Sequence, residues 1–572
     1  MKKFLALFLA LATVLTLLGG CGNSSSGNSN SSNNNNSGSG NNEANPPAPS
    51  ANVSSEKVNE STQQSTIAEE DRVAEVKYTD DGRTLIRVAM QADISNEGVW
   101  LANDGKGRKY IIYSVYEALF SLDGLGGELV PCLAKNYERV DDYTYKIELY
   151  DYIYDTAGNH ITAQDVVWSY ETAREPKLRN LQSITSFTAD DDYHLTLVMD
   201  STDVALFERA MFQTHVVSQK AYEDSGDEMK SQAVATGPYM ITEWVEGSKV
   251  ILEKNPNYWQ KPELMVNFEW SNVDVVEFDV IPEQTQQLIG LETDQVDIVP
   301  GLTFEGAKSF MPGGENEKGF VVFEYLDQNT RNITFNCNEA SVCSDINLRK
   351  AICYAIDAYG LLEGVLDGHG EITVGCNSRF GDFQESWKDL DYYFYNETMA
   401  KELLDSSNYS GEKLVILTDT DEIDANCAQM VQLYLENIGI NSELLSVDTS
   451  ILKTTRADYT AWDLVLTYGG SADYETVQWR TSWDHNTTSD GLLPCGILDD
   501  HLDELLSVVR NVSTFNDESI NDFMQYYQME MCYEYKLITP NVFTVGRDWM
   551  DTCVTDPSGW FLPGSCTYSW NS

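Results

Sequence analysis

The segment between residues 413 and 447 reads as a strand, a helix and a second strand. "KLVIL" (Lys413–Leu417) is an almost continuous apolar run, typical of a strand that is buried on both faces. A helical stretch over Ala425–Asn437 and a glycine at Gly439 separate it from "INSELLSV", which has the composition of another strand. Two strands that are joined through a helix lie parallel in one sheet. The sequence therefore predicts an α/β fold.

Other strands are predicted on both sides of this unit. "TLIRVAM" (Thr84–Met90) has the composition of a first strand, and apolar and polar residues alternate over Asp141–Leu149 and again over Asp191–Met199. That alternation indicates strands with one face buried and one exposed. "WDLVLTYGG" (Trp462–Gly470) is a second strand of the fully buried type.

Two helices are indicated by different signals. Thr162 is followed three residues later by Asp165, a pattern similar to a capping box, and the helical sequence "VVWSYETA" follows. Apolar residues from Leu348 to Leu362 recur at the spacing of a helical face.

The amino terminus has the organisation of an export signal. Lys2 and Lys3 precede the apolar run Phe4–Leu18, which is too short to span a bilayer comfortably but suits a secretory signal. The run ends in Leu-Gly-Gly-Cys, which resembles a bacterial lipobox, so Cys21 is the expected site of lipidation. The alternative is an ordinary signal peptide with a cysteine there by chance.

The residues after Cys21 cannot form a packed core. From Gly22 to about Ser65 the chain is rich in Asn, Ser and Gly and has scarcely a large apolar residue. Such a composition buries too little surface to offset the entropy of ordering, so we expect a disordered tether. Its root-mean-square reach as a random coil is about 35–40 Å.

The charge balance limits the partners of the chain. Ninety acidic residues against 37 Lys and Arg give a formal net charge of −53. So negative a surface argues against binding to nucleic acid, and against adhesion to anionic lipid by charge. It suits an extracellular protein.

The cysteines are compatible with an oxidising compartment. Lipidation of one of the 11 leaves an even number, although parity alone is weak evidence. Cys337 and Cys343 are the closest pair, and we expect them to form a disulfide that closes a small loop between a strand and a helix. No pair or cluster has the spacing of a zinc site, so no structural metal is expected.

Several longer motifs follow one another in the order seen in a known family. They are "VYEALFSLDGLGGELVPCLAKNYERVDDYTYKIEL" (Val115–Leu149), "DTAGNHITAQDVVWSYETA" (Asp155–Ala173), "TGPYMITEWVEGSKVILEKNPNYW" (Thr236–Trp259), "IPEQTQQLIGLETDQVDIV" (Ile281–Val299) and "NITFNCNEASVCSDINLRKAICYAID" (Asn332–Asp357). Over residues 84–572 the chain resembles the extracellular solute-binding proteins of family 5, which are the oligopeptide, dipeptide and nickel binders of ABC importers.

The resemblance implies a two-lobed α/β fold, like that of periplasmic binding proteins, with a third subdomain inserted in the first lobe. The implied organisation is a signal peptide (1–20), a disordered tether (21–79), lobe I (80–115, 235–330 and 540–572), the inserted subdomain (116–234) and lobe II (331–539). The chain would cross between the lobes near residues 325–335 and 535–542, so that a hinge motion could close them on a ligand.

The predicted binding site follows the strand at Trp462–Gly470. Ligands of open α/β sheets bind outside the carboxyl ends of the strands, and the two glycines at its end would let the backbone turn and a ligand approach closely. Within Ala472-Asp473-Tyr474, the resemblance implies that Asp473 holds the ammonium group of a peptide. Gly470 belongs to the same site.

Aromatic residues near this loop are candidates for side-chain pockets. Trp479 and Tyr474 are included in the predicted site, and Tyr468 and Trp483 are equally compatible with the core. The loop at 103–110 is a further candidate for contact with an extended ligand. The acid-Pro pair that the family often has after its aspartate is replaced here by Glu475-Thr476, which places the class of ligand in doubt more than the fold.

The resemblance implies a lipid-anchored receptor on the extracellular face of the membrane, monomeric, that delivers short peptides to an ABC permease and its ATPase. No Gly-x-Ser-x-Gly, HExxH or P-loop motif is present, so neither catalysis nor a cofactor is expected. The alternatives are another solute, such as a nickel chelate or an oligosaccharide that stacks on the 12 Trp and 31 Tyr, or a peptide sensor without transport.

Overall fold

The computed structural model describes residues 62–68, 71–94, 106–123, 128–174, 181, 183–230, 232–264, 273–327, 329–374, 392–469, 483–487, 490–555 and 561–570. Within these residues the α-helices are α1 (Lys106–Val115), α2 (Ala163–Arg174), α3 (Val204–Gln213), α4 (Gln219–Ser225), α5 (Gln284–Glu292), α6 (Phe304–Ala307), α7 (Ile346–Ala355), α8 (Ala358–Leu366), α9 (Glu397–Asp405), α10 (Glu422–Asn437), α11 (Thr449–Arg456), α12 (Asp500–Arg510) and α13 (Asp517–Met524). A π-helical segment, Gln525–Glu530, continues α13. Short 3-10 helices lie at Pro262–Leu264, Lys308–Phe310, Val342–Ser344, His485–Thr487 and Pro563–Ser565.

The strands are β1 (Thr62–Gln64), β2 (Lys77–Tyr78), β3 (Thr84–Met90), β4 (Phe120–Asp123), β5 (Glu128–Pro131), β6 (Ala134–Arg139), β7 (Thr144–Leu149), β8 (Ile184–Ala189), β9 (His194–Met199), β10 (Tyr239–Val245), β11 (Lys249–Lys254), β12 (Val275–Val280), β13 (Ile298–Leu302), β14 (Phe320–Leu326), β15 (Thr330–Phe335), β16 (Gly370–Ile372), β17 (Leu414–Asp419), β18 (Ser442–Val447), β19 (Leu464–Gly469), β20 (Glu534–Arg547) and β21 (Thr552–Val554).

One long strand connects the two halves of the main sheet. The main path of this sheet runs in the order β10-β11-β12-β3-β13-β20-β15-β19-β17-β18. The first part of β20 pairs with β15 and β16, and its last part pairs with β13 and β14. Beside it, β14 and β15 are separated only by residues 327–329. Two neighbouring stretches of chain therefore pass between the halves.

Each half of the sheet has its own hydrophobic core. The first core lies against β3 and β10–β12 and continues into a separate antiparallel sheet in the order β6-β7-β9-β8. The buried members of the second core all lie between Ile333 and Ile538. These cores correspond to a two-lobed α/β fold. The exact boundaries of the lobes and of the inserted subdomain stay a prediction.

The predicted strand–helix–strand unit is confirmed. Strand β17 pairs in parallel with β18, with Leu414 opposite Ser442, and α10 connects them. The side chain of Ile416 belongs to the second core on the α10 side, while Leu417 belongs to a small cluster beneath α11. Burial on both faces explains the continuous apolar run.

The start of helix α2 agrees with the sequence prediction, whereas the single helical face predicted over Leu348–Leu362 does not form one helix. One half of the capping box is present, because the Asp165 carboxylate accepts a hydrogen bond from the backbone N–H of Thr162. The Thr162 hydroxyl donates to the same carboxylate. The apolar face over Leu348–Leu362 is divided between two helices, α7 and α8. Asp357 separates them because it is extended and its carboxylate caps the N–H of Gly360, which starts a new helix.

The amino-terminal part of the folded chain begins earlier than the sequence predicts. Strand β1 pairs with β21, and the buried carboxylate of Asp548 accepts the backbone N–H groups of Val73 and Ala74 at 2.5 and 3.0 Å. The prediction that the disordered tether extends to residue 79 is wrong at this end. The signal of order was weak because β1 is only three residues long and its sequence is polar.

A buried carboxylate connects two of the motifs that carry the family resemblance. Glu117 accepts hydrogen bonds from the Tyr258 hydroxyl at 2.6 Å and from the Trp259 indole N–H at 2.8 Å. Burial raises the pKa of Glu117. Nearby, a Cβ on Gly237 would lie 2.5 Å from the carbonyl oxygen of Val115, so only glycine fits there.

In the part of the chain that the structure describes, no helix is both long and apolar enough to cross a membrane.

Glu117→Ala tests whether the hydrogen bonds from Tyr258 and Trp259 to this carboxylate stabilise the fold. We expect the free energy of unfolding to fall by about 2–4 kcal/mol, because two donors in a buried region lose an acceptor. Urea unfolding followed by tryptophan fluorescence measures it. The matched control is Glu171→Ala, whose side chain is half exposed and forms a surface pair with Arg174, for which we expect less than about 1 kcal/mol. Equal effects in the two variants would contradict the proposed role of Glu117.

Candidate binding site at the carboxyl end of strand β19

The candidate site lies where two parallel strands end together. Strand β19 pairs in parallel with β17, with Leu466 opposite Thr418, so that Asp419 and Gly469 end the two strands at the same edge of the sheet. Strand β15 runs antiparallel to β19 on its other side and places Arg331 opposite Tyr468. This edge matches the location at which open α/β sheets bind ligands.

Arg331 is buried at this edge and its guanidinium is occupied by the protein itself. Its Nε donates to Asp424 Oδ1 at 2.8 Å, and its Nη1 donates to the carbonyl oxygen of Asn329 at 3.1 Å. Two further carboxylates are near: Asp421 lies 3.4 Å from Nη2, and Asp327 lies 3.7 Å from Nη1. The Arg331 side chain is therefore a structural cation and not a free ligand for an anion.

Asp424 couples this cation to the start of the predicted ligand loop. It lies in the first turn of α10, is fully buried, and uses its second oxygen to accept the backbone N–H of Tyr468 at 3.2 Å. Burial, together with the negative charges of Asp421 and Asp419, raises its pKa to about 6, although Arg331 acts in the opposite direction. Asp424 thus fixes the last residues of β19.

The excess of carboxylates gives this edge a negative character. The three carboxylates paired with Arg331 are joined by Asp419, whose negative charge acts on Asp424. At the same edge Lys536 pairs with Glu534 at 3.1 Å. These five carboxylates outnumber the two cations, so the local field favours a cationic group on a ligand.

Gly469 is required for space rather than for a turn. The sequence predicts that the glycines at 469 and 470 let the backbone turn, but Gly469 is within β19 and is not among the residues with a positive φ. A Cβ at this position would lie 2.7 Å from Asn332 Oδ1 and 3.5 Å from Lys536 Nζ. Asn332 is itself buried and donates to Glu534 at 2.7 Å, so it has little room to move.

Most of the predicted site residues lie outside the described residues. They are Gly470, Ala472, Asp473, Tyr474 and Trp479, together with the lipidation site Cys21. Their assignment stays a prediction.

Other predicted contacts are placed by the structure. Tyr468 keeps 40% of its surface exposed at the end of β19 and remains available to a ligand. Trp483 belongs instead to the second core, where its ring stacks on that of Tyr533. The candidate loop at 103–110 is partly helical, because α1 begins at Lys106.

Cys337 and Cys343 are free thiols in the structure, as are all the described cysteines, so a disulfide between them stays a prediction. The backbone N–H of Cys337 donates to the carbonyl oxygen of Cys495 at 2.7 Å, which brings a different cysteine beside it.

Sequence reasoning missed a contact between the two lobes. The ring of Phe304, at the start of α6, stacks on His369 with a centroid distance of 4.2 Å. His369 Nδ1 lies 2.6 Å from Glu324 Oε1, and Asn541 donates to the same oxygen at 2.5 Å. Because these residues come from four distant parts of the sequence, no local pattern indicates the cluster.

Among the described residues, no group of three or more His, Cys, Asp or Glu side chains is arranged to hold a metal ion.

A comparison with known protein families assigns this chain to one of them. The profile of the bacterial extracellular solute-binding proteins, family 5 Middle, matches residues 128–491, which include β15, β17 and β19. The chain belongs to this family. Family 5 proteins are extracellular solute-binding receptors, which agrees with the resemblance seen in the sequence.

Similar proteins include binders of two kinds of solute. The chain is 23% identical to the oligopeptide-binding protein AppA of Bacillus subtilis over 329 residues, which is 52% of this chain and 56% of AppA. It is also 23% identical to the nickel-binding protein NikA of Staphylococcus aureus over 358 residues, 61% of this chain and 68% of NikA.

Solved structures show the same family 5 fold. The substrate-binding protein CtaP of Listeria monocytogenes superimposes with a TM-score of 0.72 at 16% identity, over 85% of this chain and 99% of CtaP. AppA of B. subtilis, solved in complex with a nonapeptide, gives a TM-score of 0.64 at 17% identity, over 85% of this chain and 99% of AppA.

Asp424→Asn should remove a pH-dependent part of the stability. The folded pKa of about 6 exceeds the ordinary value of 3.8, so the folded state holds this proton more tightly than the unfolded chain. The resulting stabilisation is fully present below about pH 4 and is lost as the pH rises through 6.

The measurement is urea unfolding of both proteins between about pH 4.5 and 7, which keeps clear of the sequence pI near 4.2. Over this range we expect the unfolding free energy of the wild type, relative to the variant, to fall by about 2 kcal/mol. A difference that is independent of pH would contradict the raised pKa of Asp424.

Proposed function

We propose that the protein is a lipid-anchored extracellular receptor that binds short peptides between its two lobes and delivers them to an ABC permease and its ATPase. Cys21 would carry the lipid, the Asn/Ser/Gly-rich segment would hold the folded body away from the membrane, and the receptor would act as a monomer.

The observation that carries the peptide proposal is the electrostatic setting of strand β19. Five carboxylates and two cations, both cations already paired within the protein, lie at this edge of the sheet, so its net charge is negative. The next residues along the chain include Asp473, which matches the aspartate that the family resemblance assigns to the peptide ammonium. An ammonium group is favoured in a negative field, whereas the α-carboxylate of a peptide would be repelled by it.

The family's fold and AppA's nonapeptide complex support the same class of ligand. Recognition would use main-chain hydrogen bonds to an extended peptide, which tolerate many side chains, and a charge anchor at the amino end. Tyr468, half exposed at the start of the loop, would contact the first residues of the peptide.

A second candidate ligand is a nickel chelate. The identity to the nickel-binding NikA is the same 23% as that to AppA, so sequence similarity does not separate the two classes of solute. An oligosaccharide and a sensor role without transport remain as weaker alternatives.

Asp473→Asn combined with an N-acetylated peptide tests the ammonium anchor. Removal of one partner from a buried charge pair costs about 2–5 kcal/mol, or about 30-fold to several-thousand-fold in affinity. Titration calorimetry with a free-amine peptide and its acetylated form should show that loss in the wild type on acetylation, and a much smaller loss in the variant. Asp405→Asn, an exposed aspartate at the end of α9, is the matched control and should bind like the wild type.

An equal loss on acetylation in the wild type and the Asp473 variant would place the ammonium site elsewhere. Failure of the wild type to bind any free-amine peptide would overturn the peptide proposal, and binding of a Ni(II)–histidine chelate would then favour the second candidate.

A further inference from the structure

Five buried cysteines lie together in the second core, around one arginine. They are Cys337, Cys343, Cys353, Cys495 and Cys532. Arg349, on α7, donates from Nη1 to the carbonyl oxygen of Cys343 at 2.8 Å and from Nε to that of Cys532 at 3.1 Å. A third bond joins Nη2 to the carbonyl oxygen of Met531 at 2.7 Å. Arg349 thus holds the chain segments that carry these cysteines in fixed positions.

Cys353 and Cys532 face each other inside this core. Their sulfur atoms are 3.3 Å apart, both residues are fully buried, and 179 positions separate them in sequence. That distance is a non-bonded contact between two free thiols, and the sulfur atoms would have to approach to about 2.05 Å to form a disulfide. Cys353 lies on α7, and Cys532 lies two residues before β20.

The backbone of Cys532 gives an independent indication that a sulfur is needed there. Its φ is +51°, in the left-handed region that glycine and asparagine enter more readily. A buried side chain in this conformation costs free energy relative to glycine. A cysteine at this position is accounted for if its sulfur makes a bond that glycine cannot make.

Cys337 and Cys495 form a second facing pair. The backbone N–H of Cys337 donates to the carbonyl oxygen of Cys495 at 2.7 Å, and each thiol affects the pKa of the other. Cys337 follows the end of β15 by two residues. The two pairs therefore lie at the second-core ends of β15 and β20, the strands that pass between the lobes.

We propose that the exported protein carries two disulfides, Cys353–Cys532 and Cys337–Cys495, which anchor both connecting strands covalently in the second lobe. Extracellular proteins retain such bonds, and the family location is extracellular. The proposal does not depend on the solute being a peptide, so its failure and that of the proposed function can be distinguished.

The bonds form by thiol–disulfide exchange with a protein disulfide oxidant of the extracytoplasmic space. For each pair, one cysteine thiolate attacks the oxidant's disulfide, and the second cysteine then displaces the oxidant from the mixed disulfide. Two cysteine thiols lose two electrons and two protons, and the oxidant's disulfide is reduced to two thiols. Burial raises the pKa of Cys353 and Cys495, which suppresses the reactive thiolate once the chain has folded. The exchange therefore takes place during folding after export.

Peptide mapping of the exported protein tests the pairing directly. The protein is denatured in excess iodoacetamide without reductant, digested and analysed by mass spectrometry. We expect linked peptides that join Cys353 to Cys532 and Cys337 to Cys495. Cys427, which is buried on α10, serves as the internal control and should be fully alkylated.

Full alkylation of all four cysteines, or a linked peptide that joins Cys337 to Cys343, would overturn the proposal. A thermal scan of the wild type with and without a strong reductant provides a second readout. Reduction should lower the unfolding midpoint by about 5 °C or more, because each bond closes a long loop of the unfolded chain. An unchanged midpoint would also overturn it.

Discussion

The backbone ladder of strand β20 joins the two lobes of this protein. Its first residues pair with β15 and β16 in the second lobe, and its last residues pair with β13 and β14 in the first. Pro540 lies between these two regions, where β20 pairs with Gly370 of β16. Proline has no N–H to donate, so the ladder is weakest where the lobes meet. We therefore expect the hinge at Pro540 and at the connection between β14 and β15, where a bend would change the angle between the lobes without breaking either core.

Buried charge in the second lobe fixes the end of strand β19, the last described strand before the predicted binding residues. Arg331 and Asp424 satisfy each other, and Asp424 also accepts the N–H of Tyr468, so the end of β19 is held in place. Several hydrogen bonds to the same pair offset only part of the cost of removing these groups from water, because the pKa of Asp424 stays raised. In the proposed function, the residues that follow β19 contact the solute. On this proposal, the buried pair stabilises the lobe, and different residues select the ligand.

Sequence periodicity predicts a helix or a strand where the residues of that element themselves carry the pattern. The parallel pair of β17 and β18 follows from a continuous apolar run, a helix and a second strand, and the helix start at Thr162 follows from its capping acid. The break between α7 and α8 was missed because Asp357 ends one helix and starts the next without interrupting the apolar spacing. Strand β1 was missed because its order comes from pairing with β21, almost 500 residues away.

Candidate-site residues that depend on long-range contact were likewise beyond sequence reasoning. The adjacency of Cys353 and Cys532 arises only when α7 packs beside the start of β20, and the stacking of Phe304 on His369 requires both lobes. Spacing alone favoured Cys343 as the partner of Cys337, because close cysteines are the only pairs that a linear sequence displays. The location of the predicted loop after β19 could be inferred from the sequence. A buried strand is recognisable from its own residues, and ligands of open α/β sheets bind outside the carboxyl ends of such strands.

Small-angle X-ray scattering tests most directly whether the two lobes close on a solute. The protein is first unfolded and refolded to remove any solute that co-purifies, and is then measured alone and with a saturating mixture of free-amine tri- to pentapeptides. Closure about residues 327–329 and Pro540 predicts a smaller radius of gyration with the peptides, and no change with the same mixture after N-acetylation. An unchanged radius with free-amine peptides, when calorimetry shows that they are bound, would contradict the account.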